Sequence, residues 1–260
     1  MNRKTRFATL AMAAISAVVL AGGNAAFAAD EKPAAQKAEA SAPNTLSAQE
    51  KSEGWKLLFD GKSIEHFRNY NKPDAPVNDK WVVKDGAMAL TGKDGGDIIT
   101  KEQYENYDLV LEYKISPGGN SGLMFGVIEQ PGKPPYDSGP EVQIQDNAEG
   151  KDPQKAGWLY QLYQPPIDPK TGKPIDATKP AGEWNQLRLK MDNGRGEIFM
   201  NGVKYAEFEV GSDEWKARLA KSKFVKWEAF GKSKKGHIAL QDHGNEVAFR
   251  NVKIKTLDGK

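Results

Sequence analysis

The sequence predicts an all-β fold, an antiparallel β-sandwich or jelly roll with one short helix. About eleven short runs of alternating apolar and polar residues recur along the chain. Asp-Gly and Asn-Gly pairs, typical of tight hairpins, join several of them. Only Asp213 to Ser222, preceded by the candidate N-cap Ser212, has a helical pattern. No glycine-rich phosphate loop joins a strand to a helix, which argues against an α/β nucleotide fold.

The N-terminus predicts an export signal. Three basic residues within the first six precede an apolar run from Phe7 to Gly23, and Ala26-Phe27-Ala28 fits a small-x-small cleavage site. The run is short for a retained membrane anchor. We therefore expect residues 1–28 to be a cleaved signal peptide and the mature protein to be periplasmic or secreted.

Composition limits the remaining possibilities. Residues 29–53 are rich in Ala, Lys, Glu, Ser and Pro, so we expect a flexible linker followed by one domain over residues 54–260. The formal net charge is +2, and without the three basic residues of the signal it becomes 34 basic against 35 acidic residues. Such a surface is not built to bind nucleic acid or an anionic membrane. The absence of cysteine excludes disulfides and thiol chemistry.

The elements follow one another as a series of strands. Order is expected to begin at Gly54, and the next clear element is a hairpin around Asp85-Gly86. Proline-rich residues 151–182 predict a long loop over one face, whose Tyr160 is suited to stack on a sugar ring. A β-meander with turns at Asn193-Gly194 and Asn201-Gly202 comes next. The predicted strands include Trp81 to Leu90 as the hairpin, Ile98 to Thr100, Tyr107 to Ile115, Asn120 to Val127, Glu183 to Met191 and Val247 to Ile254.

Two distant strands each carry a polar face. In Gly236 to Gly244, Ile238 and Leu240 would face the core, because successive side chains in a strand point to opposite faces. His237, Gln241 and His243 would then share the other face. The strand at Gly139 to Asp146 has the same design, with Glu141, Gln143 and Gln145 opposite Val142 and Ile144. If both strands lie in one sheet, a carboxylate, amides and imidazoles line a common groove, although an ordinary solvated face remains the alternative.

A third strand is nearly bare of bulky side chains on one face. In Asn120 to Val127 that face carries Asn120, Gly122, Met124 and Gly126. Glycine within a strand indicates either a close approach to the backbone or a bulge. Both interpretations stay open.

Several segments together resemble one known family, DUF1080, also called 3-keto-disaccharide hydrolase or 3-keto-glucoside lyase/hydratase. The resemblance covers about residues 54–257, consistent with one domain. It implies a concanavalin A-like jelly roll, related to lectins and glucanases, that acts on glycosides oxidised to a ketone at carbon 3. The segments are Trp55-Lys56-Leu57-Leu58-Phe59-Asp60-Gly61, Asn120-Ser121-Gly122, Glu141 to Asp146, Gly182-Glu183-Trp184-Asn185, Asn201-Gly202 and Gly236 to Gly244.

Such a reaction needs an acid, a base and a group that holds the enolate oxygen. His243 is the first candidate for proton transfer, since an unperturbed imidazole titrates near neutral pH. Glu141 is the second, as the base or as the partner of an imidazole. A divalent cation held by these two residues would also stabilise an enolate, but no close ligand cluster occurs, so the metal stays unassigned. The candidate substrate-binding residues are Gln143, Gln241, Asn120, Tyr160, Arg250 and His237.

Plainer interpretations accompany these roles. His237 could only cap its strand, and Arg250 follows a break in the alternation, so a surface ion pair is equally compatible with the sequence. The strand that begins at Glu141 lacks the Glu-x-Asp-x-x-Glu pattern of related glucanases, which argues against a two-carboxylate double displacement. The expected partner is a small carbohydrate. The alternatives are a lectin-like binding module and a glycosidase acting on unoxidised glycans.

Overall fold

Two antiparallel β-sheets make up the part of the chain that the computed structural model describes, residues 42–257. The predicted signal peptide and the first part of the predicted linker lie outside these residues. The strands are β1 (Lys56–Leu57), β2 (Phe67–Asn69), β3 (Trp81–Lys84), β4 (Ala87–Leu90), β5 (Ile98–Thr100), β6 (Tyr107–Ile115), β7 (Asn120–Val127), β8 (Glu141–Gln145), β9 (Asn185–Asp192), β10 (Arg195–Met200), β11 (Val203–Glu209), β12 (His237–Leu240) and β13 (Val247–Thr256). The helices are α1 (Ala48–Ser52) and α2 (Asp213–Leu219), and short 3-10 turns occur at Pro135–Asp137 and Lys223–Lys226.

The strand order defines the sandwich. One sheet runs β11-β10-β9-β6-β13-β4-β3, with β1 also paired to β13, and the other runs β2-β5-β12-β7-β8. Every strand pair is antiparallel. The predicted antiparallel β-sandwich of the jelly-roll type is therefore confirmed. None of the helices within residues 42–257 is long and apolar enough to cross a bilayer.

The core lies between the two sheets and follows the predicted alternation. Val142 and Ile144 of β8 and Ile238 and Leu240 of β12 are buried in one cluster. Leu189 of β9 belongs to the same cluster from the opposite sheet. Full burial of each such side chain stabilises the fold by about 1.5–3 kcal/mol. The polar neighbours of these residues are therefore directed to the outer faces of the sheets.

The hairpin turns have the backbone geometry that their sequence predicts. Asn201 and Gly202 have φ values of 49° and 82°, and Asp85 and Gly86 have 51° and 70°. Positive φ at both central residues defines the turn type whose twist matches that of paired strands, and Asn-Gly and Asp-Gly adopt it at low cost. These turns set the register of the meander and of the β3–β4 hairpin.

The end of the predicted linker differs from the expectation of a flexible segment, because residues 42–53 are ordered. Ser47 and Glu50 form a capping box at the start of α1, each side chain accepting a hydrogen bond from the other residue's backbone N–H. Asn44 exchanges two hydrogen bonds with Asn251 of β13, at 2.9 and 2.8 Å. Glu50 also pairs with Lys253 of the same strand. Polar pairing, rather than apolar burial, attaches this segment to the sandwich. Its low apolar content therefore gave no sign of the attachment in the sequence.

Candidate active site on the outer face of the five-stranded sheet

A continuous row of residues crosses the outer face of the five-stranded sheet. In register, Arg68 of β2 lies opposite Ile99 of β5, which lies opposite Ala239 of β12. Ala239 lies opposite Met124 of β7, which lies opposite Glu141 of β8. Ile99, Met124 and Ala239, together with Val127, form a small buried apolar cluster of their own, packed against Tyr70 and Tyr136. The face therefore has an apolar middle and a carboxyl group at one side.

Glu141 lies directly over Gly122 of the neighbouring strand. A Cβ atom built on Gly122 would be 2.1 Å from Oε1 and 2.8 Å from Cδ of Glu141. Gly126, on the same strand, has a φ of 62° beside a register shift between β7 and β12. The bare face of β7 thus contains both predicted features, a bulge at Gly126 and a close approach at Gly122. The absent side chain leaves the space that the carboxyl group occupies.

The environment of Glu141 favours its protonated form. Its side chain makes no hydrogen bond within residues 42–257, although it keeps partial contact with solvent. Burial among protein atoms raises the pKa of Glu141 to about 8, helped by the nearby negative charges of Asp97 and Asp152 and opposed by Lys223. A carboxyl group tuned in this way exchanges protons near neutral pH, which is the property of a general acid or base.

Buried amide groups adjoin this carboxyl group. Gln143 lies opposite Gly122 in the β7–β8 pair, and the backbone N–H of Gln241 donates to the Gly122 carbonyl at 2.9 Å. The side-chain oxygens of Gln143, Gln241 and Asn120 are buried and accept no hydrogen bond from the described protein. An unpaired buried acceptor costs about 1–3 kcal/mol unless a donor such as water or a ligand hydroxyl reaches it. These predicted substrate-binding residues therefore offer acceptors suited to sugar hydroxyls.

The long loop between β8 and β9 forms a wall beside Glu141. Its backbone pairs with the free edge of β8, where Tyr160 N–H donates to the Glu141 carbonyl at 2.9 Å. The Tyr160 hydroxyl donates to Asp152 at 2.8 Å, and Lys223 Nζ lies 4.6 Å from the centre of the tyrosine ring. Burial and the Asp152 carboxylate raise the pKa of Tyr160 above its usual range. The half-buried ring lies beside the carboxyl group, where the sequence hypothesis places a sugar-stacking aromatic residue.

His237 is on the predicted face, but its ring is committed to neighbouring residues. Nδ1 donates to the Thr100 carbonyl at 2.7 Å, and Nε2 lies 3.0 Å from Nε2 of Gln103. This arrangement assigns a neutral ring whose Nε2 accepts from the glutamine amide. Burial lowers the pKa of His237 and further disfavours a charged ring. Both ring nitrogens are therefore satisfied by protein, which supports the plainer interpretation of His237 as a structural residue.

His243 lies in an exposed turn at the end of β12. The turn is held next to β7, because Gln241 N–H donates to Gly122 and Asn245 Oδ1 accepts from Asn120 N–H. Within the described residues, no hydrogen bond joins the imidazole to Glu141. The turn with His243 adjoins the Asn120 end of β7, whereas Glu141 lies opposite Met124, farther along that strand.

Arg250 lies in the other sheet, so its predicted role in substrate binding does not fit the structure. Its Nε donates to Glu112 at 2.6 Å, and its guanidinium group lies 4.2 Å from the centre of the Trp184 ring. The register of β13 shifts between Arg250 and Lys253, where Asn251 has a φ of 54°. This bulge is the physical cause of the break in alternation. The ion pair, which was the alternative for Arg250, is what the structure contains.

Asp97 is a residue of this face that the sequence analysis missed. It directly precedes β5 and has the same parity as Ile99, on the outer side of the sheet. Its Oδ1 accepts from the backbone N–H of Asp242 at 2.9 Å, which places it beside the turn after β12. The only signal in the sequence was an acidic residue after Gly95-Gly96 whose place in the strand alternation puts its side chain on the outer face.

Two other features define the limits of the site. Within residues 42–257, no three His, Cys, Asp or Glu side chains form a cluster that could hold a metal ion. A separate cavity of about 510 Å³ opens elsewhere, lined by residues such as Tyr107, Phe125 and Lys232. Neither Glu141 nor the unpaired amides line this cavity.

Comparison with known proteins also indicates a protein that acts on carbohydrates. A domain family described as 3-keto-alpha-glucoside-1,2-lyase-like matches residues 54–255. A 3-keto-disaccharide hydrolase of Bacteroides thetaiotaomicron is 31% identical over an alignment covering 93% of this chain and 94% of the relative. Two crystal structures of candidate glycosyl hydrolases from Parabacteroides distasonis ATCC 8503 are also similar. One is 35% identical with a TM-score of 0.74, covering 84% of this chain and 100% of the other. The second is 28% identical with a TM-score of 0.58, covering 78% and 99%. These relationships support a carbohydrate hydrolase, and the chain belongs to the 3-keto-alpha-glucoside-1,2-lyase-like family.

Proposed function

We propose that this protein cleaves the glycosidic bond of 3-keto-glycosides by elimination across carbons 1 and 2, followed by addition of water. A ketone at carbon 3 acidifies the proton on carbon 2, so a carboxylate or imidazole can remove it. The group on carbon 1 then leaves with a proton from an acid, and water adds to the resulting unsaturated ketone. The net result is hydrolysis without a covalent glycosyl–enzyme intermediate.

The observation that carries this proposal is the state of Glu141. It is a carboxyl group with a pKa raised to about 8 and no hydrogen-bond partner within residues 42–257, seated in the space left by Gly122. A group with a pKa near neutral is suited to proton transfer at neutral pH, whereas the nucleophile of a double displacement must be ionised. His243, the first candidate from the sequence, stays a prediction as the second proton-transfer group.

The surroundings of Glu141 support a sugar ring as the ligand. Unpaired amide oxygens of Gln143, Gln241 and Asn120 can accept hydroxyl hydrogens, and Tyr160 offers an aromatic edge or face beside them. The family description names a 3-keto-alpha-glucoside, and the Bacteroides thetaiotaomicron relative is a 3-keto-disaccharide hydrolase. Both agree with a ketone as the feature that activates the substrate. The proposal also includes export, which depends on residues 1–28.

Purified protein incubated with a 3-keto-glucoside and with its unoxidised parent tests this function. Release of the leaving group from the keto sugar alone is the expected result. Release from both compounds would indicate an ordinary glycosidase. Binding without release from either compound would indicate a lectin-like module, and the proposal would be wrong.

A further inference from the structure

Asp97 occupies a position from which it can act on the same sugar as Glu141. Leu240 lies opposite Ile98 in the β5–β12 pair, so the next residues in register are Asp97 and Gln241. Gln241 in turn is hydrogen-bonded to Gly122, over which the Glu141 carboxyl group lies. Asp97, Gln241 and Gly122 thus form a second row across the sheet. This row is adjacent to the one that contains Ile99 and Ala239.

The spacing of this row fits a sugar between the two carboxyl groups. Two interstrand steps separate the Cα atoms of Asp97 and Gly122, a distance of about 10 Å. The Glu141 carboxyl group lies over Gly122, and the charge of Asp97 affects its pKa, so the two carboxyl groups are near enough to act on one sugar. Gln241, whose buried amide oxygen lacks a partner in the described protein, lies between them. The floor of the gap therefore presents an acceptor for a sugar hydroxyl.

We propose that Asp97 and Glu141 are the two proton-transfer residues of this site, with Asp97 as the base that removes the carbon-2 proton and Glu141 as the acid that protonates the departing oxygen. This inference depends on the proposed function and assigns its second catalytic residue to Asp97 rather than to His243.

The electrostatics of the two groups match these roles. Burial raises the pKa of Asp97 to about 6, and the charge of Asp242 adds to this rise while the hydrogen bond from its N–H opposes it. Asp242 itself accepts from the backbone N–H groups of Gly96 and Gly244, so it is held as a fixed neighbour. With the pKa of Glu141 at about 8, Asp97 is mostly ionised at neutral pH and Glu141 mostly protonated.

The charged and titratable groups around the pair come from several elements. Lys223 from the 3-10 turn, and Asp152 and Tyr160 from the long loop, surround Glu141. Asp242 from the turn after β12 faces Asp97. Arg68 of β2, in the adjacent row, is held in a bidentate ion pair with Glu129. Its positive charge is therefore already paired.

The reaction balances with these two groups and water. Asp97 takes the carbon-2 proton, and the C–H electron pair passes through the enolate of the ketone into a C1–C2 double bond as the C1–O bond breaks. The leaving oxygen takes the bonding electrons and the proton of Glu141. Water then adds its oxygen to carbon 1 and gives a proton to Glu141, while Asp97 returns its proton to carbon 2. Both carboxyl groups end in their starting states.

Asp97→Asn is the first test, because asparagine keeps an oxygen that can accept from Asp242 N–H but cannot act as a base. We expect turnover of a 3-keto-glucoside to fall about a hundredfold or more. Wild-type kcat/KM should rise with pH through about 6 and fall above about 8, since activity requires ionised Asp97 and protonated Glu141. The residual activity of the variant should lack the rise near pH 6. A purely structural role would leave that rise in place.

Asp94→Asn is the matched control on the same loop. Asp94 is exposed and has a φ of 69°, a conformation that asparagine tolerates. We expect it to keep wild-type turnover and the wild-type pH profile. If Asp97→Asn also stays within about threefold of wild type, or keeps the rise near pH 6, the inference is wrong. If the wild-type protein does not act on the keto sugar at all, the proposed function itself fails, and the two failures are thereby distinguished.

Substrates with different leaving groups test which carboxyl group is the acid and which is the base. Glu141→Gln should lose most of its activity on a keto sugar with a poor leaving group such as methoxide. The same variant should keep most of it when 4-nitrophenolate departs, because that anion needs no proton. Asp97→Asn should be slow on both substrates. The opposite pattern, with Asp97→Asn rescued by the good leaving group, would overturn the assignment of acid and base.

Discussion

Replacement of Gly122 by alanine tests whether the position of the Glu141 carboxyl group matters for catalysis. The new Cβ would lie 2.1 Å from Oε1, and real Cβ atoms essentially never approach other atoms within 3.0 Å. The carboxyl group must therefore move by about 0.9 Å or more. A displacement of about 1 Å in a catalytic group costs about a hundredfold in rate. Because the clash is with a flexible side chain, and alanine suits a strand better than glycine does, stability should change little.

The assay compares kcat on a 3-keto-glucoside with the midpoint of thermal unfolding. We expect Gly122→Ala to lose about a hundredfold in kcat at nearly unchanged stability. Gly196→Ala of β10 is the matched control, since its Cβ would lie 2.1 Å from Cζ of Phe208 in the neighbouring strand β11. That buried ring cannot retreat, so the control should lose stability while each folded molecule keeps its kcat. Wild-type kcat in Gly122→Ala would refute the reasoning.

Two further predictions concern charge. The pKa of Glu141 is raised from 4.5 to about 8, so the folded state holds a proton that the unfolded state releases, and stability should fall as pH rises through that window. Glu141→Gln removes this dependence. The difference in unfolding free energy between the variant and wild type, measured by urea unfolding, should therefore shift in favour of the variant by about 2–5 kcal/mol from pH 5 to pH 9. The same difference at both pH values would contradict the raised pKa. Arg250→Met should lower the free energy of unfolding by about 1–3 kcal/mol, because Glu112 loses its charged partner and keeps only the hydrogen bond from Asn251. Its kcat and KM should match wild type, and a large loss of kcat would return Arg250 to the site.

The fold was largely predictable from the sequence because its signals are local. Alternation within single strands assigned Val142 and Ile144 to the core, and Asn-Gly pairs located the turns. The segment at 42–53 was not predictable in this way. Its order depends on pairing with residues about 200 positions away, such as Asn44 with Asn251.

The candidate site was only partly predictable, because it depends on register between strands that are distant in sequence. Parity placed Glu141 and Gln143 on one face, but only the pairing of β5 with β12 brings Asp97 beside Gln241. The hydrogen bonds that occupy His237 come from Thr100 and Gln103, more than 130 residues earlier. No pattern within a single segment of the sequence predicts these hydrogen bonds.

The way the long loop joins the sheet has an evolutionary consequence. It is attached to the free edge of β8 by backbone hydrogen bonds, such as the one from Tyr160 N–H to the Glu141 carbonyl, rather than by insertion between strands. Main-chain bonds do not depend on side-chain identity, but Leu159, Leu162 and Tyr163 of the loop are buried in the core. The exposed stretch at residues 166–173 is therefore the part of the loop that can diverge while the carboxyl group stays in place. Under the proposed function, duplicated copies of such a gene could acquire new sugar preferences through changes in this surface segment, while Glu141 keeps its position.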